Sequence, residues 1–153
     1  MNSSYLKDFV KESNHIEGID RDPYLSEIEA HSSLLSKSSI SVSNLQDFVY
    51  TICGARLRSK PGMDVRIGSH LPEPGGPRIV VMLAENILSV ANKRKPHSAY
   101  EVHCMYEHLH PFMDGNGRSG RALWLWMMHG YAPLGFLHPF YYQTLARYQD
   151  KGD

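Results

Sequence analysis

Residues 98–128 read SAYEVHCMYEHLHPFMDGNGRSGRALWLWMM, and this stretch decides the fold. Ser98 to Glu101 has the form of a capping box, opening a helix through Ala99, Val102, Tyr106 and Leu109. HPFMDGNGR, with its Pro and two Gly, cannot continue that helix and reads as a loop. Ala122 to Met128 is then apolar on every face, the pattern of a helix enclosed by other helices, with Gly130 as its terminator. A helix, a polar loop and a buried helix in succession predict a helical core.

Working outward, the same period recurs. Tyr5, Leu6, Phe9, Val10 and Ile16 form an apolar stripe that ends at Gly18. Asp22-Pro23 marks a second start, with Leu25, Ile28, Ser32 and Leu35 on one face. After the polar KSSIS linker, Ser43 to Gln46 resembles a capping box, and Leu45, Phe48, Val49 and Ile52 lead to Gly54. Val80, Leu83, Ala84, Ile87 and Ala91 predict a further helix before the NKRKP break. A last one can be drawn through Phe140, Tyr141, Thr144, Leu145 and Tyr148. Only residues 56–77 change pattern: many Pro and Gly punctuate the alternating Met63, Val65 and Ile67, predicting a loop with a short β-hairpin. The fold class expected is all-α with a small β-hairpin flap.

At 153 residues, with 42% hydrophobic and 21% charged residues, the chain has a globular composition and the length of one domain. No internal repeat or second domain is visible. Sixteen basic residues balance sixteen acidic ones, so no global positive field exists for nucleic acid or an anionic membrane. Cys53 and Cys104 fit neither a disulfide framework nor a zinc spacing. No run is long enough to span a bilayer, and no leader is seen at the N-terminus, so a cytoplasmic location is expected.

The chemistry concentrates in residues 110–121. Gly115, Gly117 and Gly120 form GxGxxG, but no strand precedes them and no acidic residue lies near position 140, so the dinucleotide-fold reading fails. Walker A and protein-kinase signatures are absent too. What remains is an anion site: Gly115 and Gly117 let successive N–H groups turn toward one point, and the following helix adds its positive end. Arg118 and Arg121 lie in that helix's first turn, where cations are unfavourable unless they hold something polyanionic. Asp114 offers a hard oxygen for Mg²⁺ beside phosphates. His110 can take a proton from a hydroxyl at neutral pH. Together these residues describe attack by a hydroxyl on a Mg²⁺-bound nucleotide phosphate.

HPFMDGNGRSGR resembles, at every fixed position, the motif HxFx(D/E)GNGRxxR of Fic-domain proteins, which transfer AMP from ATP to protein hydroxyls. The resemblance implies His110 as base, Asp114 as Mg²⁺ ligand, Gly115, Asn116 and Gly117 as anion hole, and Arg118 and Arg121 as phosphate binders. Phe112 would anchor the loop. MDVRIGSHLPEP looks like the Fic flap, which holds a target peptide by strand addition, with Ile67 and Gly68 against the target backbone. Tyr141 and Tyr142 look like a family pair near the nucleoside, with Gln149 as the following polar residue. Ser13 to Gly18 resembles the inhibitory motif (S/T)xxxE(G/N), which implies that Glu17 pairs with Arg121 and misplaces the nucleotide. The organisation implied is a single Fic domain over 1–153, with an inhibitory helix at 1–19, a flap at 56–77 and the motif at 110–121.

The activity this implies is an autoinhibited protein adenylyltransferase using ATP and Mg²⁺ on a Ser, Thr or Tyr of a protein target. Removal of AMP with the help of Glu17, and an idle module that binds nucleotide or a partner, are the alternatives. Auto-modification and a homo-oligomer stay open; nucleic acid and membrane are not expected partners. Relatives transfer UMP, phosphocholine or phosphate, and the GNGR form leans toward AMP. His97, His103, His108 and His110 lack the spacing of a zinc shell, and His103 reads as a packed histidine supporting the motif. Trp124, Trp126, Met127 and Met128 read as core. Arg56, Arg58 and Lys60 read as a solvated rim of the flap.

Overall fold

The computed structural model describes residues 3–132. Helices α1 (Ser3–Ile16), α2 (Leu25–Leu35) and α3 (Val42–Cys53) form the N-terminal half. After the long loop come α4 (Pro77–Val81), a π-helical stretch (Met82–Leu88) and α5 (Ser89–Ala91), continuous with one another. A 3₁₀ turn (Pro96–Ser98) leads into α6 (Ala99–Leu109), and α7 (Asn116–Met127) completes the described part. The helix drawn through Phe140 to Tyr148 lies outside the described residues.

The enclosed-helix reading of residues 122–128 is borne out. α7 packs against α1, α2, α3 and α6, and its residues from Arg118 to Met127 are all buried. Trp126 is fully buried, donates its indole N–H to the Lys37 carbonyl at 2.8 Å and has the Arg94 guanidinium 4.4 Å from its ring centroid. Its one polar atom is thereby satisfied, as burial requires. At the other end, the Tyr5 hydroxyl donates to the Ala132 carbonyl at 2.6 Å and accepts its N–H at 2.9 Å, tying α1 to the residues after α7.

Helix starts differ from the sequence reading in detail. The box at α3 is formed by Ser41 and Asn44, two residues upstream: the Ser41 hydroxyl accepts the Asn44 N–H and Asn44 Oδ1 accepts the Ser41 N–H. Asn at the third helical position thus does the work usually given to Glu or Gln. Ser98 makes no capping bond, because the 3₁₀ turn that begins at Pro96 opens α6 instead. On α2 the buried positions are Glu27, His31 and Leu34, while Leu25 is 70% exposed. The helix is rotated from the face its apolar residues suggest: Glu27 finds Asn14, Arg21 and the Tyr24 N–H inside, and His31 Nδ1 bonds the Glu27 carbonyl.

No sheet forms among the described residues, so the hairpin flap is corrected to a loop. Met63, Val65 and Ile67 do alternate inward, but the only pairing there is a single antiparallel bridge from Ile67 to His70 across Gly68. Pro72 and Pro74 lie on the returning leg, and a proline has no N–H to extend a ladder. A second bridge, Leu57 to Phe112, joins the start of this loop to the segment between α6 and α7.

Candidate active site

The segment between α6 and α7 is held open as a wide turn by its own residues. His110 takes a left-handed conformation (φ 53°, ψ 63°) as the cap of α6. Phe112 is fully buried, and Asn116 clamps it: Asn116 Oδ1 accepts the Phe112 N–H and Nδ2 donates to the Phe112 carbonyl, both at 2.8 Å. The Asn116 side chain therefore shapes the turn. Gly115 (φ 80°) caps α7, and a Cβ there would meet Cys53 Sγ at 2.9 Å. Only glycine fits that conformation against α3.

His110 is half-buried, and its Nδ1 lies 3.4 Å from the Glu107 carbonyl. A carbonyl only accepts, so Nδ1 carries the proton and Nε2 keeps its lone pair. Burial pushes the imidazole down to about 4; Arg58 and His70 add to this, while the Glu107 carbonyl and Glu17 oppose it. His110 is thus neutral, and able to accept a proton, throughout the physiological range.

Four residues on, Asp114 is exposed, with Oδ1 accepting the Gly115 N–H at 2.7 Å. The second carboxylate oxygen is available to a hard cation. No three His, Cys, Asp or Glu side chains converge on a metal site among the described residues. One carboxylate beside an anion cradle is how Mg²⁺ is commonly held, the remaining ligands being phosphate oxygens and water.

The arginines are inside. Arg118 is 7% exposed, and its Nε has no hydrogen-bond partner among the described residues, which is an unusual state for a buried guanidinium and suits an anionic ligand. Arg121 is 1% exposed and is held by α1 and the turn after it. Its Nε donates to Ser13 Oγ at 2.8 Å, and a terminal nitrogen donates to the Ser13 carbonyl at 2.9 Å and to Glu17 Oε2 at 2.7 Å. The same Glu17 oxygen lies 2.5 Å from where a Cβ on Gly117 would be. A carboxylate is therefore seated on the glycine cradle itself. Gly18 (φ 79°) follows in the turn that carries Glu17 there.

The structure thus brings His110, Asp114, Gly115, Asn116, Gly117, Arg118 and Arg121 together with Ser13, Glu17 and Gly18. Ile67 and Gly68 sit in the long loop, whose His70 places Nε2 3.0 Å from the His108 carbonyl beside the site. Tyr141, Tyr142 and Gln149 lie outside the described residues.

Three charged residues escaped the sequence reading. Glu27 is 2% exposed and accepts from Asn14, Arg21 and the Tyr24 N–H, so it fixes the turn after α1 that presents Glu17. Arg58 is fully buried rather than part of a solvated rim. Three of its four carbonyl partners lie 15 to 52 residues away, for which no local pattern exists. Glu107 shares a helix face with His103, four residues away, a spacing that could have flagged it. Burial lifts its carboxyl to about 7, Arg121 opposing and Glu17 adding, and its Oε1 has no hydrogen-bond partner among the described residues. His103 is buried as expected, and burial takes it down to about 3 despite a bond to the Gly120 backbone.

Glu107 makes a stability prediction. Its folded pKa of about 7 exceeds the ordinary 4.5, so its proton favours the fold fully below pH 4.5, and that contribution is lost as pH rises through 7. Relative to wild type, Glu107→Gln should gain roughly 4–8 °C in Tm between pH 5 and pH 8. Thermal denaturation at both pH values checks this; a constant difference would mean that Glu107 is ionised in the fold.

The Fic/DOC family matches residues 29–128. A protein adenylyltransferase Fic from Drosophila grimshawi is 28% identical over 137 residues, covering 82% of this chain and 27% of that protein. Those of Drosophila ananassae and Drosophila melanogaster are each 30% identical over 138 residues, covering 82% of this chain and 26% and 27% of the relatives. The chain spans about a quarter of the length of these relatives.

Proposed function

This chain belongs to the Fic/DOC family, and from that premise we propose that it is an autoinhibited adenylyltransferase moving AMP from MgATP to a hydroxyl of a protein target. The observation that carries the reading is a neutral His110 with its Nε2 lone pair free, in the same turn as a glycine cradle backed by two buried arginines. His110 Nε2 takes the proton of the target hydroxyl. The resulting oxygen forms a bond to the α-phosphorus of ATP while the bond to the bridging oxygen of pyrophosphate breaks in line. Arg118, Arg121 and the N–H groups at the start of α7 stabilise the negative charge that develops on the phosphates. Asp114 would hold Mg²⁺, which when bound neutralises phosphate charge.

Glu17 supports the inhibited part of the reading, since its carboxylate sits on Gly117 and bonds Arg121, where a nucleotide phosphate would go. Ile67 and Gly68 would meet the target strand at the tip of the loop, where the Ile67 N–H and carbonyl are already bonded to His70.

The test compares ATP labelled at the α- and γ-phosphates, incubated with Mg²⁺ and cell lysate. Label from the α position alone should appear on protein. Asp114→Asn should lower incorporation at least tenfold at limiting Mg²⁺, with partial recovery at high Mg²⁺. Label arriving from the γ position would replace adenylyl by phosphoryl transfer. Absence of label from either, in wild type and with Glu17 removed, would overturn the reading.

A further inference from the structure

Arg58 is a charged side chain with no exposed surface, and among the described residues carboxylates reach it only through space, from Asp64 and Glu73. A buried cation without a contacting anion is costly, so its position demands another source of compensation. The guanidinium spends its donors on four backbone carbonyls. Nε donates to His110 at 2.7 Å, and the two terminal nitrogens donate to Leu109 at 2.9 Å, Glu73 at 2.8 Å and Met63 at 3.1 Å. Leu109 and His110 are the last residue and the cap of α6, whose carbonyls carry the negative end of the helix dipole and lack helical partners. The Arg58 backbone N–H also donates to the Pro111 carbonyl at 2.9 Å.

Three successive carbonyls around His110 are thus held by one residue. His110 is a non-glycine residue in the left-handed region, a conformation that persists only where its surroundings impose it. The other two bonds reach Met63 and Glu73, the two legs of the loop that bears the Ile67–His70 turn. One side chain therefore sets the aim of His110 and the height of the loop facing it.

We infer that Arg58 is a positioning residue for the proposed transfer, holding His110 in register with the loop that would align the target. The inference rests on the adenylyl-transfer reading for its kinetic consequence, but its structural consequence can be read without turnover. The charge near the imidazole gives that readout, because Arg58, with His70, favours neutral His110, while Glu17 and the Glu107 carbonyl oppose it.

Two variants separate geometry from charge. Arg58→Lys keeps the cation but loses the fork, and Arg58→Met loses both. NMR titration of His110 should leave its midpoint near wild type in Arg58→Lys and raise it by about 0.5–1 unit in Arg58→Met. In the Glu17→Gly background, Arg58→Lys should lower kcat by roughly 10- to 100-fold with KM for ATP within about twofold. Wild-type kcat in Arg58→Lys, or kcat and ATP affinity falling together, would overturn the inference. If Arg58→Met fails to fold, Arg58→Lys and its kcat–KM split decide alone; a collapse of Arg58→Lys too would reduce Arg58 to a folding residue and overturn it. A shifted midpoint in a protein that transfers no AMP would sink the transfer reading and leave standing only the charge of Arg58 beside His110.

Discussion

Glu17→Gly is expected to raise AMP transfer about 10- to 150-fold, the range set by a charge-assisted bond of roughly 1.5–3 kcal/mol present only in the inhibited state. Glu17 Oε2 accepts a bond from Arg121 at 2.7 Å and lies 2.5 Å from where a Cβ on Gly117 would stand. A phosphate oxygen on the glycine cradle would have to share that space with a like charge. The Glu17 side chain is one-third exposed, so it can leave without opening the core, whereas Arg121 is buried and cannot follow it. Removing the carboxylate leaves Arg121 on the Ser13 hydroxyl and carbonyl, which keep the guanidinium aimed. Incorporation of α-phosphate label into target or into the protein itself measures the effect. Equal labelling by wild type and Glu17→Gly would show that this carboxylate is not the brake.

His110→Ala in the Glu17→Gly background should cut transfer by about 10³-fold, within the range for loss of a general base. Nucleotide binding, measured by calorimetry, should stay within about threefold, because the groups assigned to phosphate lie beyond His110 on the turn and α7. Alanine is poorly suited to the left-handed conformation at this position, so His110→Asn provides the second variant: asparagine tolerates that backbone and supplies no base. Both should lose transfer. Transfer retained by His110→Asn at more than a few per cent of the parent would place the base elsewhere.

The helical class, the enclosed helix after residue 121 and the residues of the anion turn were legible in the sequence, because each depends on short-range pattern. Period 3.6 identifies helices, and the spacing of His110, Asp114, the glycines and the two arginines spans barely three turns of chain. Glu17 could be matched to an inhibitory pattern, but its contact with Arg121 crosses 104 residues and is seen only when α1 lies against α7. The flap shows the opposite failure: local alternation suggested a hairpin, but strand pairing needs a partner with free N–H groups, and the prolines on the returning leg withhold them.

By itself, then, the sequence determined the helices of the described core and which side chains gather in one turn, since propensity and neighbouring residues decide both. The tertiary structure alone decided where three charges ended. Glu27 left the solvent to fix the turn after α1, Glu107 became half-buried with no partner for its Oε1 among the described residues, and Arg58 went into the core to bond four carbonyls. A charge is exposed by default because desolvation is costly. Only the complete set of distant backbone acceptors and opposite charges can reverse that default, and that set exists only after the helices have packed.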